Sequence, residues 1–472
     1  MSLSGTGLAQ NTVSRRERIE AEVVKAALAG YESDLVAVVL TGSLARDEAT
    51  WAVDSSRWVV LGDAEFILVF RQGTQLPRPT DREPLQARVE SALDQQGISC
   101  SVALDSVFPD YFRRLPPRIL SYELRTCGRV VWGDQTVLSL VPAFGVWDIL
   151  LEDAWRLLAN RTIEQFTCDI GRPRAEVIGQ RVGEGDGPPR LRYRLAKMYL
   201  DMATSFLVFA GAYEPTYRRR AQRLRELAGA SGAIPSAVTG TPANMPFSLD
   251  EFADRVSEFT RFKLGEAEWP VDRGTCGSAP SLAEAAWDYA RRLWRWELQH
   301  LLASASPSSD ALPKTATGGA VFQSTSDNRP SPIPDAPSFL MVESLMRRQT
   351  SRERMRGWLY VARASGWLHG WRYWPRWLWL GRRASPRYCV YRAASEFAFA
   401  RTEIEKSQTA QPASATLPRS ALLGPERSFN SKRVCSWLPI VPRRILTEAS
   451  GERGVAEAIL WNYEEFLEGT RA

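Results

Sequence analysis

Two apolar runs break an otherwise mixed pattern of apolar and polar residues. Residues 35–40 are apolar and end in Thr41-Gly42-Ser43, and a second run enters through Asp63-Ala64-Glu65 and ends at Phe70. Their length and their β-branched and aromatic content predict buried strands. Residues 98–107 alternate, with Ile98, Cys100, Val102 and Leu104 on one face and Ser99, Ser101, Ala103 and Asp105 on the other, which predicts a third strand. Residues 14–29, with Ser14 as the cap, and residues 81–95 carry apolar side chains at helical spacing. Residues 109–115 and 118–127 read as helices and 129–132 as a short last strand. The expected fold class is α+β, an N-terminal domain with a small mixed sheet followed by a mostly helical C-terminal region.

From Val146 the apolar spacing is helical. Stretches 191–210, 216–228, 249–264 and 282–302 predict helices, separated by a Gly- and Pro-rich loop at 170–189 and a stop near Gly211. Residues 303–337 are rich in Ser, Pro, Thr, Gly and Ala and read as a disordered linker. The resulting division is 1–143, an α+β domain; 144–302, a helical domain; 303–337, a linker; 338–406, a helical Trp- and Arg-rich segment; 407–433, a second linker; and 434–472, a closing helical segment.

Composition changes this picture little. The 472 residues are 44% apolar and 24% charged, ordinary globular values. The net charge of +6 comes almost wholly from Arg, the lysines being Lys25, Lys197, Lys263, Lys314, Lys406 and Lys432. It is spread along the chain, with no DNA-binding motif. Six scattered cysteines form no CxxC pair, and His300 and His369 are the only histidines, which argues against His-based metal sites and a Ser-His-Asp triad. The first ten residues hold no apolar signal segment, and no run of 18 apolar residues follows. The expectation is a cytoplasmic protein without a transmembrane segment.

The chemistry concentrates at the ends of the first two strands. Asp63 and Glu65 leave one strand face and repel each other unless a cation lies between them. Paired hard oxygen ligands suit Mg²⁺, which keeps waters and binds substrate phosphates. Gly42 lets backbone approach a phosphate closely, and Ser43 adds a hydroxyl.

A Gly-Ser turn followed by an acidic-x-acidic pair on the next strand resembles the nucleotidyltransferase superfamily, which includes DNA polymerase beta and the bacterial aminoglycoside nucleotidyltransferases. The likeness covers roughly residues 15–140. It includes Tyr122-Glu123-Leu124-Arg125 and the segment Gly128–Asp134, similar to the segment that closes the domain in bacterial members. One departure is the longer gap between Ser43 and Asp63, with residues 51–62 read as an insertion. The resemblance implies a Mg²⁺-dependent transfer of a nucleoside monophosphate from an NTP to an unknown acceptor, a small molecule, protein or RNA. Asp63 and Glu65 would hold metal, and Gly42 and Ser43 would cradle phosphate. The family's third carboxylate lies mid-strand, where this chain has Ser101 and Ala103. Asp105 is the one acid on that face, and it is expected to serve as the third catalytic carboxylate, which requires the strand register to carry it beside Asp63 and Glu65.

Three further features bear on function. Tyr193, Lys197 and Asp201 form a polar stripe at i, i+4, i+8 on an apolar helix, either a surface ion pair or, with Lys197 touching the triphosphate, part of the nucleotide site. Arg295 and His300 resemble the Arg-x4-His motif of helical HEPN ribonucleases. Trp367 to Arg383 interleave five tryptophans with four arginines and are read chiefly as a packed corner, stacking of bases or contact with a membrane surface being the other uses of such a pattern. The alternatives to transfer are therefore a degenerate member that binds nucleotide or a partner, and a HEPN-type ribonuclease.

Overall fold

The structure, a computed structural model, describes residues 5–54, 56–170, 188–229, 246–268, 270, 282–304, 336–364, 373–409, 431–441 and 452–466. The expected loop and linkers at 170–189, 303–337 and 407–433 lie outside them except at their ends. The architecture is α+β, as the apolar patterning predicts. The chain gathers into two compact units, Met1–Leu157 with Gly185–Asp288, and Leu158–Glu184 with Tyr289–Ala472. The helices between residues 188 and 264 therefore group in one unit with the sheet.

In the first unit, α1 (Gly5–Tyr31) precedes β1 (Leu35–Thr41) and the short α2 (Gly42–Ala45). Ser14 lies inside α1 rather than capping it, because the helix begins nine residues earlier. The residues read as an insertion build a hairpin from β2 (Trp51–Asp54) and the first half of β3 (Arg57–Phe70). Next come α3 (Pro79–Gln95), β4 (Ile98–Val107), α4 (Pro109–Arg113), α5 (Ile119–Cys127) and β5 (Arg129–Gly133). The sheet order is β2-β3-β1-β5, with β4 also on β3; only the β3–β4 pair is parallel, so the sheet is mixed.

Alternation along the strands divides the core in two. Ala64, Phe66 and Leu68 of β3 and Val102 and Leu104 of β4 pack against Ile19 and Val23 of α1 and Val89 and Leu93 of α3. On the opposite face, Val39, Ile67 and Val69 are covered by Phe112 of α4 and Leu124 of α5. That cover stops before Asp63 and Glu65, which are exposed. After α6 (Leu151–Ile170), the unit is completed by α7 (Pro188–Phe209), α8 (Tyr217–Gly229), α9 (Leu249–Lys263) and the start of α10 (Leu282–Ser304).

The second unit holds α11 (Ser338–Arg348), α12 (Ser351–Ala364), α13 (Trp374–Gly381), α14 (Pro386–Thr409), α15 (Ser431–Ser436) and α16 (Glu452–Phe466), together with the remainders of α6 and α10. Its centre includes Arg392, fully buried and held by Glu343 and Glu396 at 2.7 and 2.5 Å. No helix among the described residues is long and apolar enough to cross a membrane.

Candidate functional site

The first turn of the site comes from β1 pairing antiparallel with β3, which sets Thr41 opposite Glu65. Gly42 follows with φ +71, a left-handed conformation that favours glycine. Its lack of a side chain matters a second time, since a Cβ there would lie 2.9 Å from Glu65 Oε2. Gly42, Ser43 at the start of α2 and the Glu65 carboxylate are thus one cluster. Asp63 lies two residues back on the same strand face.

The register of β3 with β4 decides the third carboxylate. Val59 pairs with Ser99, but the next pair is Asp63 with Ser101, so β3 carries two extra residues between them. Had the pairing run straight on, Asp63 would face Ala103 and Glu65 would face Asp105. The bulge instead places Ala103 opposite Glu65 and Asp105 opposite Ile67. Asp105 is then about 7 Å further along than Glu65 and about 13 Å further than Asp63. Its carboxylate pairs with Arg82 at 3.2 Å. Asp105 is therefore not brought beside both other acids, and among the described residues no three His, Cys, Asp or Glu side chains gather to hold a metal. Asp63 and Glu65 remain a two-carboxylate set of the kind that suits Mg²⁺ completed by waters and phosphate oxygens.

Gly62, inside the bulge, has its own reason to be glycine. A Cβ there would lie 3.2 Å from the Tyr193 hydroxyl, so α7 closes onto the sheet one residue before Asp63. The polar stripe of α7 therefore faces this end of β3. Asp201 is buried and Lys197 half-buried, so the stripe does not lie on an open surface.

Behind the cluster lies a buried charge network that the sequence pattern did not disclose. The Glu123 carboxylate accepts hydrogen bonds from Arg46, from Arg220 and, at 2.5 Å, from the Tyr213 hydroxyl. Burial alone would raise the Glu123 pKa, but the two guanidiniums and these hydrogen bonds outweigh it and hold it below the usual carboxylate value. Arg220 also donates to Thr204 Oγ1 at 2.9 Å and to the Glu214 carbonyl at 2.7 Å. Glu48 accepts the Tyr217 and Arg218 backbone N–H groups at 2.9 and 3.1 Å, where α8 begins. Its carboxylate thus satisfies orphan donors at a helix N-terminus and complements the dipole. The sequence hints were of position: Arg46 and Glu48 lie shortly after the Gly-Ser turn, and Glu123 lies in the Tyr122-Glu123-Leu124-Arg125 stretch.

Lys263 is the second residue that sequence reasoning missed. It ends α9 with only 1% exposure, its ammonium donating to Thr50 Oγ1 at 3.1 Å and lying 5.1 and 5.2 Å from the Tyr193 and Tyr217 ring centroids. Burial, reinforced by the charges of Lys197 and Arg46, lowers its pKa from 10.5 to about 7. Between those two values the unfolded chain holds a proton that the folded chain has lost, so this group makes stability rise with pH. Lys263→Met is accordingly expected to stabilise the protein by about 1–4 kcal/mol at pH 6 and by clearly less at pH 9.5. Denaturant titrations at the two pH values check this, and an equal gain at both would contradict it.

In the second unit, Nδ1 of His300 lies 2.9 Å from the Trp296 carbonyl, and its ring packs on Trp296 at 4.1 Å. Burial lowers its pKa, partly offset by that hydrogen bond. Arg295 is half-buried. Of the Trp- and Arg-rich stretch, Trp377 is buried and donates to the Pro439 carbonyl, while the Arg383 guanidinium lies 3.7 Å over Trp379. Compared with known proteins, the chain matches no protein-family model, and no curated protein matches it significantly.

Proposed function

We propose that this protein binds a Mg²⁺–nucleoside triphosphate on its mixed sheet and acts as a nucleotidyltransferase toward an acceptor whose identity is open. The observation that carries this reading is the packing of the Glu65 carboxylate against Gly42 at φ +71, with Asp63 on the same strand face. Gly42 and Ser43 offer backbone and hydroxyl donors to phosphate, while Asp63 and Glu65 supply the hard oxygen ligands. Mg²⁺ held there would neutralise the triphosphate and align in-line attack, with pyrophosphate leaving. Lys197, on the α7 stripe that meets Gly62 through Tyr193, is assigned to the phosphates.

A second reading keeps the binding and drops the transfer. It is favoured by Ala103 facing Glu65 where an acid is needed to draw the acceptor's proton. Incubation with labelled NTPs and Mg²⁺ separates the two. Metal-dependent pyrophosphate release supports transfer; saturable Mg·NTP binding without release supports the second reading; absence of binding refutes both.

Lys197→Ala is expected to weaken NTP binding by about 10- to 100-fold, the cost of one hydrogen bond to a charged group, and to leave nucleoside binding little changed. Calorimetry with both ligands tests it, and equal losses would remove Lys197 from the phosphate site.

A further inference from the structure

The second unit exposes apolar side chains where a helix pair normally hides them. On α12 the exposed positions Arg352, Met355, Arg356, Leu359, Tyr360 and Arg363 follow an i, i+3, i+4 pattern and so form one face. The opposite face is the buried one: Val361 packs with Trp377 of α13 and Ile440, and Trp358 donates to the Ala384 carbonyl at 2.8 Å. α13 repeats the arrangement. Trp374, Leu378 and Trp379 are exposed beside Arg382 and Arg383, while Trp377 and Leu380 are buried. Leu378 is 68% exposed and Met355 62% exposed, high values for large apolar residues.

Charge indicates what would cover this face. Within α12 and α13 the single acid is Glu353, set against arginines on both helices. Exposed aliphatic side chains interleaved with Arg and flanked by Trp match the physics of an interfacial helix, in which the apolar atoms enter the headgroup boundary and the guanidiniums meet lipid phosphates. Nucleic acid would instead need flat stacking platforms. Leu378 and Met355 offer none, and one face of the Trp379 ring carries Arg383.

We infer that α12 and α13 form a docking surface for an anionic phospholipid bilayer, with Leu378 and Met355 entering the headgroup boundary.

The test is co-sedimentation of the full chain with phosphatidylcholine vesicles, with and without 30% phosphatidylglycerol (about that fraction of anionic lipid gives a clear surface potential). Binding is expected only to the anionic vesicles, falling severalfold as salt is raised past about 0.3 M. Leu378→Glu and Met355→Glu should each lower binding about tenfold or more with an unchanged thermal midpoint, since both positions are exposed. Arg352→Gln with Arg356→Gln, a pair that leaves the apolar atoms in place, should also weaken it. No binding to anionic vesicles, binding unaffected by these variants, or salt-sensitive binding to single-stranded RNA in place of vesicles would each overturn the inference.

Discussion

Glu123→Ala is expected to destabilise the first unit by about 3–5 kcal/mol, because it leaves Arg46 and Arg220 as buried cations without their shared carboxylate. For a unit of this size, that lowers its thermal midpoint by roughly 6–20 °C. The sign of the pH dependence follows from the lowered pKa of Glu123. Its contribution is present above the unfolded carboxylate value, near pH 4.3, and is lost as pH falls through the lower folded value. The variant's stability should therefore fall less steeply than the wild type's on acidification below about pH 4.3. Urea titrations from pH 3 to 7 measure both effects, and a loss under about 1 kcal/mol at pH 7 would show that the network contributes no more than a surface pair.

Asp63→Asn and Glu65→Gln should each reduce Mg²⁺-dependent NTP binding by about 100-fold or more, since second-shell partners alone cost 10- to 100-fold and these side chains are assigned as ligands. Folding should be intact, because both are exposed and each substitution relieves like-charge repulsion. Asp105→Asn is the internal control: its partner is Arg82, and the register places it beyond Glu65, so it should leave Mg·NTP affinity unchanged. Calorimetry with and without Mg²⁺ reads all three. Wild-type affinity in both Asp63 and Glu65 variants would end the metal assignment; a large loss in Asp105→Asn would mean that the acids meet on binding.

Alternation of apolar and polar residues was sufficient to place β3 and β4, because strand faces have a period of two and one face must be dry. The same local rule put Asp63 and Glu65 on one exposed face and Gly42 at the turn. The helices were likewise legible from apolar spacing, although their ends were not: α1 runs past Ser14 because a cap residue only competes with helix continuation and does not forbid it. The hairpin at 51–62 looked like an insertion because pairing between β2 and β3 is set by the partner strand.

What only the tertiary structure decided was the relation between segments far apart in sequence. Whether Asp105 joins the other acids depends on two extra residues in β3, a register choice that leaves the polarity pattern untouched. A two-residue shift returns every side chain to the same face, so the hydrophobic signal does not distinguish the two registers. Gly62 was the one local sign of the bulge, and its cause, the Tyr193 hydroxyl from α7, is 131 residues away in the chain. The charge network was hidden for the same reason. Glu123, Arg46 and Arg220 are each ordinary surface residue types by themselves, and the desolvation and pairing that define them exist only once three separate elements have packed.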